Sequence, residues 1–304
     1  MLDRNIAPML AYPSAPFDSP RHVFEIKWDG TRSILFLNGK GIRLQNRRFV
    51  DMTNRYPEFY DLHREIKARE AVLDGELVVL SGDKPDFGKL QQREQISDPM
   101  RIKLLSGRMP ATYIVFDILF LDGRECVGLP LLERKSILDR IVRESGSLVV
   151  SRHIPETGKA FFREVVAKGF EGVMAKSDAS PYLIGKRSRY WLKIKPKLSS
   201  VCHIIGYTRG EGYRGRSFGA LLIATRDDEG WVYRGKVGSG FDEEDLESLL
   251  SLLGPLMAGQ PAFSSPGMPK DVQWVRPSLR CEVVYQEMTK SGHFRAPVFK
   301  RVLQ

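Results

Sequence analysis

The hydrophobic pattern changes near residues 196–200, and this change constrains the fold more than any other feature of the sequence. Before it, apolar runs at strand spacing alternate with apolar residues at helical spacing. After it, short apolar strands follow one another between glycine-rich turns, with one helical pattern at 243–253. Such a strand series predicts a small β-barrel, of which the OB-fold is the commonest nucleic-acid-binding form. The sequence therefore predicts an α+β protein, with a mixed α/β domain at 1–198, an OB-fold barrel at 199–304 and a hinge at 196–200.

The individual elements follow from the same patterns. Strands are predicted in the first domain at 23–27, 33–37, 42–45, 72–80, 113–121, 172–176 and 191–195, and in the second at 201–207, 220–225, 231–237 and 281–288. Helices are predicted at 57–70, 131–144 and 159–168, besides the one at 243–253.

Composition excludes several classes of protein. Hydrophobic residues make up 42% of the 304 residues, enough for a sizeable core. No apolar run is long enough to span a membrane, and the first residues lack the pattern of a signal peptide. Cys126, Cys202 and Cys281 are few and far apart, which argues against a disulfide framework or a zinc site and favours the cytosol. The net charge of +10 is compatible with an anionic partner but does not identify one.

Lys27 is the first candidate for chemistry, in the segment Lys27-Trp28-Asp29-Gly30-Thr31-Arg32. A lysine at a strand end can simply be exposed and structural. It becomes a covalent nucleophile only where burial or neighbouring cations depress its pKa. Both interpretations remain open from this segment alone.

Four further segments place polar residues in apolar strands. Asp74-Gly75-Glu76 is either a turn or a pair of buried acids that need partners. Phe116 is either core or a platform for a base, and Glu171 precedes a predicted strand. Lys193 and Lys195 alternate with apolar residues and so share one face of a strand, where two ammonium groups favour a polyanion between them.

The order and spacing of these segments carry more information than any one of them. Taken together, KxDGxR, DGE, FD, EGVMAK and WLKIKP ahead of a barrel resemble the ATP-dependent DNA ligases of the covalent nucleotidyltransferase superfamily. The resemblance covers essentially the whole chain. It is closest to the ligase module of bacterial non-homologous end-joining ligases and their stand-alone relatives, with support from residues 44–47, 128–135, 219–222 and 235–241.

The resemblance implies a three-step reaction and a role for each matching residue. A lysine attacks the ATP α-phosphate and becomes lysyl-AMP, the AMP moves to a 5′-phosphate at a nick, and a 3′-hydroxyl displaces it. Lys27 matches the nucleophile, and Lys193 and Lys195 match the lysines that hold the α-phosphate. The nucleotide-binding residues implied are Glu25 near the adenine edge, Phe116 stacked on the base, Glu76 on the ribose, and Arg32 and Arg47 near ribose and phosphate. Glu171 matches the metal-associated acid, with Mg²⁺ or Mn²⁺ as the expected ion.

The sequence departs from the family pattern in two places, and both affect how residue roles carry over from the family. The tail lacks the common R-x-D-K, and Arg295 and Lys300 of R-A-P-V-F-K stand in the basic positions. Only 26 residues precede Lys27, so the additional N-terminal DNA-binding domain of larger ligases is not expected. The implied partners are nicked or broken duplex DNA and a Ku-like end-binding protein, with no membrane, a monomeric state and a place at the bacterial nucleoid.

Basic segments at 91–108 and 207–217 are the candidates for binding DNA phosphates, with a solvated basic face as the alternative. They contain Arg93, Arg101, Lys103, Arg108, Arg209, Arg214 and Arg216, with Tyr213 among them. Three other functions stay open from the sequence: an RNA ligase, an mRNA capping-type guanylyltransferase and a non-catalytic OB-fold protein that binds nucleic acid.

Overall fold

The computed structural model describes residues 1–212, 215, 217–286, 288–289 and 291–303. The chain divides into two compact units, Met1–Lys195 and Pro196–Gln304. The predicted boundary after residue 198 lies three residues beyond this division. Among the described residues, no helix has the length and apolar character needed to cross a membrane.

The first unit consists of two β-sheets and four α-helices. Its strands are β1 Leu10–Pro13, β2 Ser19–Ile26, β3 Thr31–Asn38, β4 Gly41–Asn46, β5 Ala71–Ser81, β6 Lys84–Pro85, β7 Ala111–Leu121, β8 Arg124–Glu125, β9 Leu148–Val150, β10 His153–Glu156, β11 Val173–Ser177 and β12 Arg187–Ile194. Its helices are α1 Phe87–Glu94, α2 Pro99–Arg108, α3 Leu131–Ile141 and α4 Gly158–Ala167.

The larger sheet has the strand order β4-β3-β5-β7-β8, with β6 paired to β5 and β9 paired to β7. Side chains alternate between its two faces because successive residues of a strand point in opposite directions. On β3, Leu35 and Leu37 join one hydrophobic cluster, while Ile34 and Phe36 join another. The second cluster also contains Trp191 of β12, so it joins this sheet to the smaller one.

The smaller sheet has the order β1-β12-β11-β2-β10. Its outer face packs Phe24 and Ile26 of β2 and Leu192 and Ile194 of β12 around helix α4. The alternate residues of the same strands, such as Glu25 and Lys193, therefore face the larger sheet. The predicted division of β12 into a lysine face and an apolar face is seen here.

The predicted helix at 57–70 is wrong. The chain forms three short 3-10 helices instead, Thr53–Arg55, Pro57–Phe59 and Leu62–Glu65. Ile66 is extended and forms an isolated bridge with Val142, so a continuing helix would lose this pairing. The pairing of Ile66 with Val142 therefore outweighs the helical spacing of the apolar residues in this segment.

In its described residues, the second unit is a seven-stranded sheet that packs around its own core. Its strands are β13 Leu198–Arg209, β14 Phe218–Asp227, β15 Gly230–Val237, β16 Met257–Ala258, β17 Gln273–Val275, β18 Arg280–Tyr285 and β19 Val298–Leu303. β13 pairs with β14 along one edge and with β17 and β18 along the other. β18 ends three residues before the predicted end at 288. The hinge predicted at 196–200 also overlaps β13, which begins at Leu198.

Helix α5 Glu243–Leu253 has the predicted bounds because the sequence carries its own start signal. The Asp242 side chain accepts from the backbone N–H of Asp245, and the Asp245 side chain accepts from the backbone of Asp242. This reciprocal capping box satisfies donors that a helix start leaves free. Leu249 and Leu253 then fill the core of the unit together with Cys202 and Cys281.

Candidate active site

Residues of both sheets of the first unit line a cavity of about 220 Å³. Seven of the predicted site residues meet at its wall: Glu25, Lys27, Arg32, Arg47, Glu76, Phe116 and Lys193. Sequence reasoning missed other residues of the lining: Met9, Leu10, Ala11, Ile26, Trp28, Met174, Lys176, Arg187 and Trp191. Six of the lining side chains are cationic and two are carboxylates, so the cavity suits an anionic ligand.

Lys27 follows the last residue of β2 and is held there by a close backbone crossing. Its backbone N–H donates to the carbonyl of Gly172 over 2.9 Å. Gly172 has a φ of +147°, and a Cβ at this position would lie 2.1 Å from the carbonyl oxygen of Ile194. Only glycine fits this crossing, which brings the strand ends that carry Lys27 and Glu171 together.

Glu171 bridges two of the predicted catalytic lysines. One carboxylate oxygen contacts Nζ of Lys27 and the other contacts Nζ of Lys195. The three side chains are partly buried, so water screens these contacts less than it would at an open surface. Lys27 is therefore not the free surface lysine of the alternative interpretation.

Lys193 lies two residues before Lys195 and lines the cavity. Burial lowers the pKa of Lys193, and the nearby Lys195 and Arg187 lower it further. An anionic group placed among these cations would relieve their repulsion. Binding of a polyanion between Lys193 and Lys195 stays a prediction.

Arg32 is fixed by Asp74, which lies in the middle of β5 and not in a turn. The guanidinium donates to both carboxylate oxygens of Asp74 over 2.5 Å each, and the hydroxyl of Tyr182 donates to the same carboxylate over 2.6 Å. Asp74 is fully buried, and these partners offset the cost of burying its charge. Asp74 thus positions Arg32, and Glu76 is the acid of this strand that lines the cavity.

Glu76 has a raised pKa. Burial raises its pKa to about 8, which the cations Arg32 and Lys27 only partly oppose. The carboxylates of Asp74 and Glu171 raise it further. A protonated Glu76 can donate a hydrogen bond as well as accept one, which suits contact with a hydroxyl group.

The raised pKa of Glu76 predicts a pH-dependent stability. The folded protein keeps a proton that the unfolded chain releases near pH 4.5, so the free energy of unfolding should fall as pH rises from about 4.5 to about 8. Glu76→Gln should remove this pH-dependent fall in the free energy of unfolding, which is on the order of 2 to 4 kcal/mol. Denaturant unfolding of both proteins between pH 5 and 8 tests this prediction, and parallel pH profiles would contradict it.

Phe116 lies in the cavity wall and contacts two cations. Its ring is 7% exposed and packs edge-to-face on Trp191. The guanidinium of Arg32 lies 4.5 Å from the ring centroid, and Nζ of Lys176 lies 4.3 Å from it. A base that stacks on Phe116 must therefore share the ring with these cation–π contacts.

Glu25 is buried between two lysines that the sequence analysis did not select. Nζ of Lys135 lies 2.8 Å and Nζ of Lys176 2.9 Å from its carboxylate, and the hydroxyl of Ser151 donates to it over 3.1 Å. Burial alone would raise the pKa of Glu25, but the two lysines outweigh it and hold the pKa below its ordinary value. Burial lowers the pKa of Lys176 to about 8. Glu25 is thus an ionised acceptor fixed at the cavity wall.

The comparisons with known proteins agree with this geometry. The family described as ATP dependent DNA ligase domain matches residues 8–195, and the ATP dependent DNA ligase C terminal region matches residues 214–303. The chain belongs to the ATP-dependent DNA ligase family. The predicted class, an adenylation domain followed by an OB-fold, is confirmed.

Individual ligase relatives cover nearly all of this chain. The multifunctional non-homologous end joining protein LigD of Mycolicibacterium smegmatis is 35% identical over 303 residues, which are 97% of this chain and 38% of the relative. The DNA ligase of Hyperthermus butylicus is 32% identical over 89% of this chain and 47% of its own length. A structure described as mycobacterial DNA ligase D complexed with ATP and MES has 30% identity and a TM-score of 0.57, covering 98% of this chain and 95% of that one. The chain therefore spans less than half of the length of these LigD and DNA ligase relatives.

The metal expected for a ligase is not indicated by a cluster of ligands. Among the described parts of the chain, no group of three or more His, Cys, Asp and Glu side chains could hold a metal ion. Because Mg²⁺ is commonly held by one or two carboxylates and substrate phosphates, the partly buried carboxylate of Glu171 fits such an ion. Glu171 as its ligand stays a prediction.

Glu171 and Lys195 are predicted site residues that are not part of the cavity lining, although Glu171 contacts both Lys27 of the lining and Lys195. Arg295 and Lys300 belong to the second unit and have exposed side chains, and their role with nucleotide phosphates stays a prediction. The segment at 91–108 is not a loop, since α1 and α2 occupy most of it.

Arg93 of this segment cannot be a DNA contact. It is 2% exposed, it pairs with Glu58, and it donates to the carbonyl of Arg55 over 2.8 Å. Arg101, Lys103, Arg108 and Arg209 are exposed and remain candidates. Tyr213, Arg214 and Arg216 lie outside the described residues.

Proposed function

We propose that this chain is an ATP-dependent DNA ligase that seals nicks between a 5′-phosphate and a 3′-hydroxyl. The observation that carries the proposal is Lys27 at the wall of a cationic cavity, with Glu171 in contact with its Nζ and Lys193 nearby. A nucleophilic lysine needs an acceptor for its proton and cations that neutralise the phosphate it attacks. Glu171 supplies the acceptor for the proton of Lys27, and Lys193 supplies a cation beside the phosphate.

The first step joins Lys27 to AMP. The Nζ proton passes to Glu171, the Nζ lone pair forms a bond to the α-phosphorus, and the bond from this phosphorus to pyrophosphate breaks. Lys193 and Lys195 neutralise the negative charge that develops on the phosphorus oxygens. A bound Mg²⁺ would add Lewis-acid stabilisation of the leaving pyrophosphate.

The next two steps move AMP through DNA. An oxygen of the nick 5′-phosphate bonds to the phosphorus of AMP, and the bond to Nζ of Lys27 breaks. The 3′-hydroxyl then bonds to the 5′-phosphorus, releases AMP with the bridging oxygen and closes the strand. No lysine nucleophile is needed in this last step.

Adenosine binding would use the apolar and polar walls of the same cavity. Phe116 offers a ring for the base, ionised Glu25 offers an acceptor for an exocyclic amino group, and Glu76 faces a ribose hydroxyl. These assignments are supported by their common lining of one cavity.

Sealing of a labelled nick by purified protein with ATP and either Mg²⁺ or Mn²⁺ tests the function. We expect joined product with ATP and little with GTP, and joining of 3′-deoxy ends. A preference for GTP would support the guanylyltransferase alternative, and joining of RNA ends alone would support the RNA ligase. Absence of both an enzyme–AMP adduct and joined product would leave only a nucleic-acid-binding role.

The name of the non-homologous end joining LigD relatives suggests a role in the repair of broken DNA ends. Because this chain spans 38% of the first of those relatives, end joining, a Ku-like partner and a monomeric state are parts of the proposal. Joining of linear duplexes with and without an added end-binding protein, compared with joining of nicks, measures this part separately.

Phe116→Ala should weaken the use of ATP. Loss of stacking on the base is worth roughly 1–3 kcal/mol, which is about 5- to 150-fold in KM or kcat/KM. Adenylation measured over a range of ATP concentrations tests this, with Phe116→Tyr as the control that retains a ring. Unchanged ATP dependence in a folded Phe116→Ala protein would make Phe116 a core residue that only supports Arg32 and Lys176.

A further inference from the structure

The loop at residues 47–50 presents two apolar side chains to solvent beside the cavity. It joins β4 to the bridge that Asp51 forms with Gln45. Phe49 is 48% exposed and Val50 is 46% exposed. The proposed adenylation chemistry assigns neither side chain a role.

Phe49 also has a backbone conformation that its side chain disfavours. Its φ is +64°, in the left-handed region where glycine and asparagine are the usual residues. A hairpin loop of this kind normally has glycine at the left-handed position. A bulky residue there adds strain and exposes apolar surface, and such combinations concentrate at sites of function.

The loop is nevertheless firmly built. Oδ1 of Asn46 accepts from the backbone N–H of Arg48 over 2.8 Å and from that of Val50 over 3.0 Å. The backbone N–H of Phe49 donates to the carbonyl of Asn46 over 3.0 Å. These bonds fix the apolar tip in place, so a partner binds it without first ordering it.

The surroundings of the tip indicate the chemistry of that partner. Arg47 precedes it and lines the cavity, and Arg48 is exposed next to it. Two arginines beside an apolar tip match a duplex, which offers phosphates next to the apolar faces of sugars and base edges. The same cavity lining would receive the 5′-phosphate in the proposed reaction.

We propose that Phe49 and Val50 form an apolar contact with duplex DNA beside the nick, flanked by a phosphate contact from Arg48. This inference rests on the proposed ligase function and adds a surface for its DNA substrate. The contact acts after Lys27 has reacted with ATP, since adenylation requires no DNA.

Two substitutions of Phe49 test the contact without disturbing the loop. Phe49→Gly and Phe49→Asn remove the apolar ring and supply residues that accept a left-handed φ. We expect both proteins to melt at or above the temperature of the parent and to form enzyme–AMP at the parent rate. Binding of nicked duplex should weaken about 10-fold, as for loss of one good apolar contact with a base, and sealing at low DNA concentration should fall equally. Phe49→Leu should retain most of the affinity.

The salt dependence separates the apolar contact from the phosphate contact. Phe49→Gly should leave the slope of log affinity against log salt unchanged, while Arg48→Gln should reduce its magnitude by about one unit. Tyr60→Asn is the matched control, because Tyr60 is also 48% exposed and lines a different surface groove. It should leave nick binding unchanged.

The outcomes distinguish this inference from the function on which it rests. Parent-like nick binding by folded Phe49→Gly protein would overturn the apolar contact while sealing stays intact. An equal loss of enzyme–AMP formation would also overturn it, because the loop would then serve the ATP step. Absence of adenylation and sealing in the parent protein would refute the proposed function itself.

Discussion

Lys27→Arg is expected to abolish the formation of enzyme–AMP, with a loss on the order of 10⁴-fold or more, as for removal of a covalent nucleophile. Arginine preserves the cation that faces Glu171, but its delocalised guanidinium stays protonated and does not attack phosphorus. The variant therefore separates the nucleophile from the charge. Transfer of label from α-labelled ATP to the protein, followed on a denaturing gel, measures the effect.

The same variant should still close a nick that already carries 5′-AMP, because that step uses the 3′-hydroxyl as its nucleophile. Lys40→Arg, at an exposed lysine of the turn between β3 and β4, is the control for general effects of the substitution. Any covalent AMP adduct on the Lys27→Arg protein would place the nucleophile elsewhere. Loss of both activities in a folded protein would contradict the assignment, because the variant keeps the cation and the closing step needs no lysine nucleophile.

Glu171→Gln should slow adenylation by about 10²-fold or more. The carboxylate lies between Nζ of Lys27 and Nζ of Lys195, so its neutralisation leaves two ammonium groups that repel each other. It also removes the charge that would hold a divalent ion. Rates measured over a range of Mg²⁺ concentrations should show a higher half-saturating concentration as well as a lower maximum.

A comparison of Glu171→Gln with Glu171→Ala separates the two roles of this residue. Glutamine still accepts a hydrogen bond from a lysine, whereas alanine does not, so a larger loss in alanine measures the positioning of Lys27. Glu164→Gln on α4 is the control, since Glu164 is exposed. A parent-like Mg²⁺ dependence in both Glu171 variants would exclude Glu171 as a metal ligand.

Strand periodicity explains which parts of this site could be predicted. Lys193 and Lys195 stand two residues apart in a predicted strand, so they are expected on one face of it without any knowledge of the fold. The bounds of α5 depend on local apolar spacing and a local capping box. Such features depend on neighbouring residues alone.

The partners of these residues could not be predicted in the same way. Lys135 and Lys176 come to Glu25 from α3 and β11, more than 100 residues away in the sequence, and no local pattern marks them. Arg93 looked like a DNA contact for the same reason, because its burial against Glu58 is set by distant packing. Pairing between strands and burial of individual charges are tertiary properties.

The excess of cations around the cavity has a practical consequence for the purified enzyme. The six cationic side chains outnumber the two carboxylates, so the cations repel one another when no anion separates them, and this repulsion destabilises the nucleotide-free form. Any small polyanion that enters relieves it and thereby raises the melting temperature by mass action. Phosphate or pyrophosphate in a storage buffer would act both as a stabiliser and as a competitor of ATP.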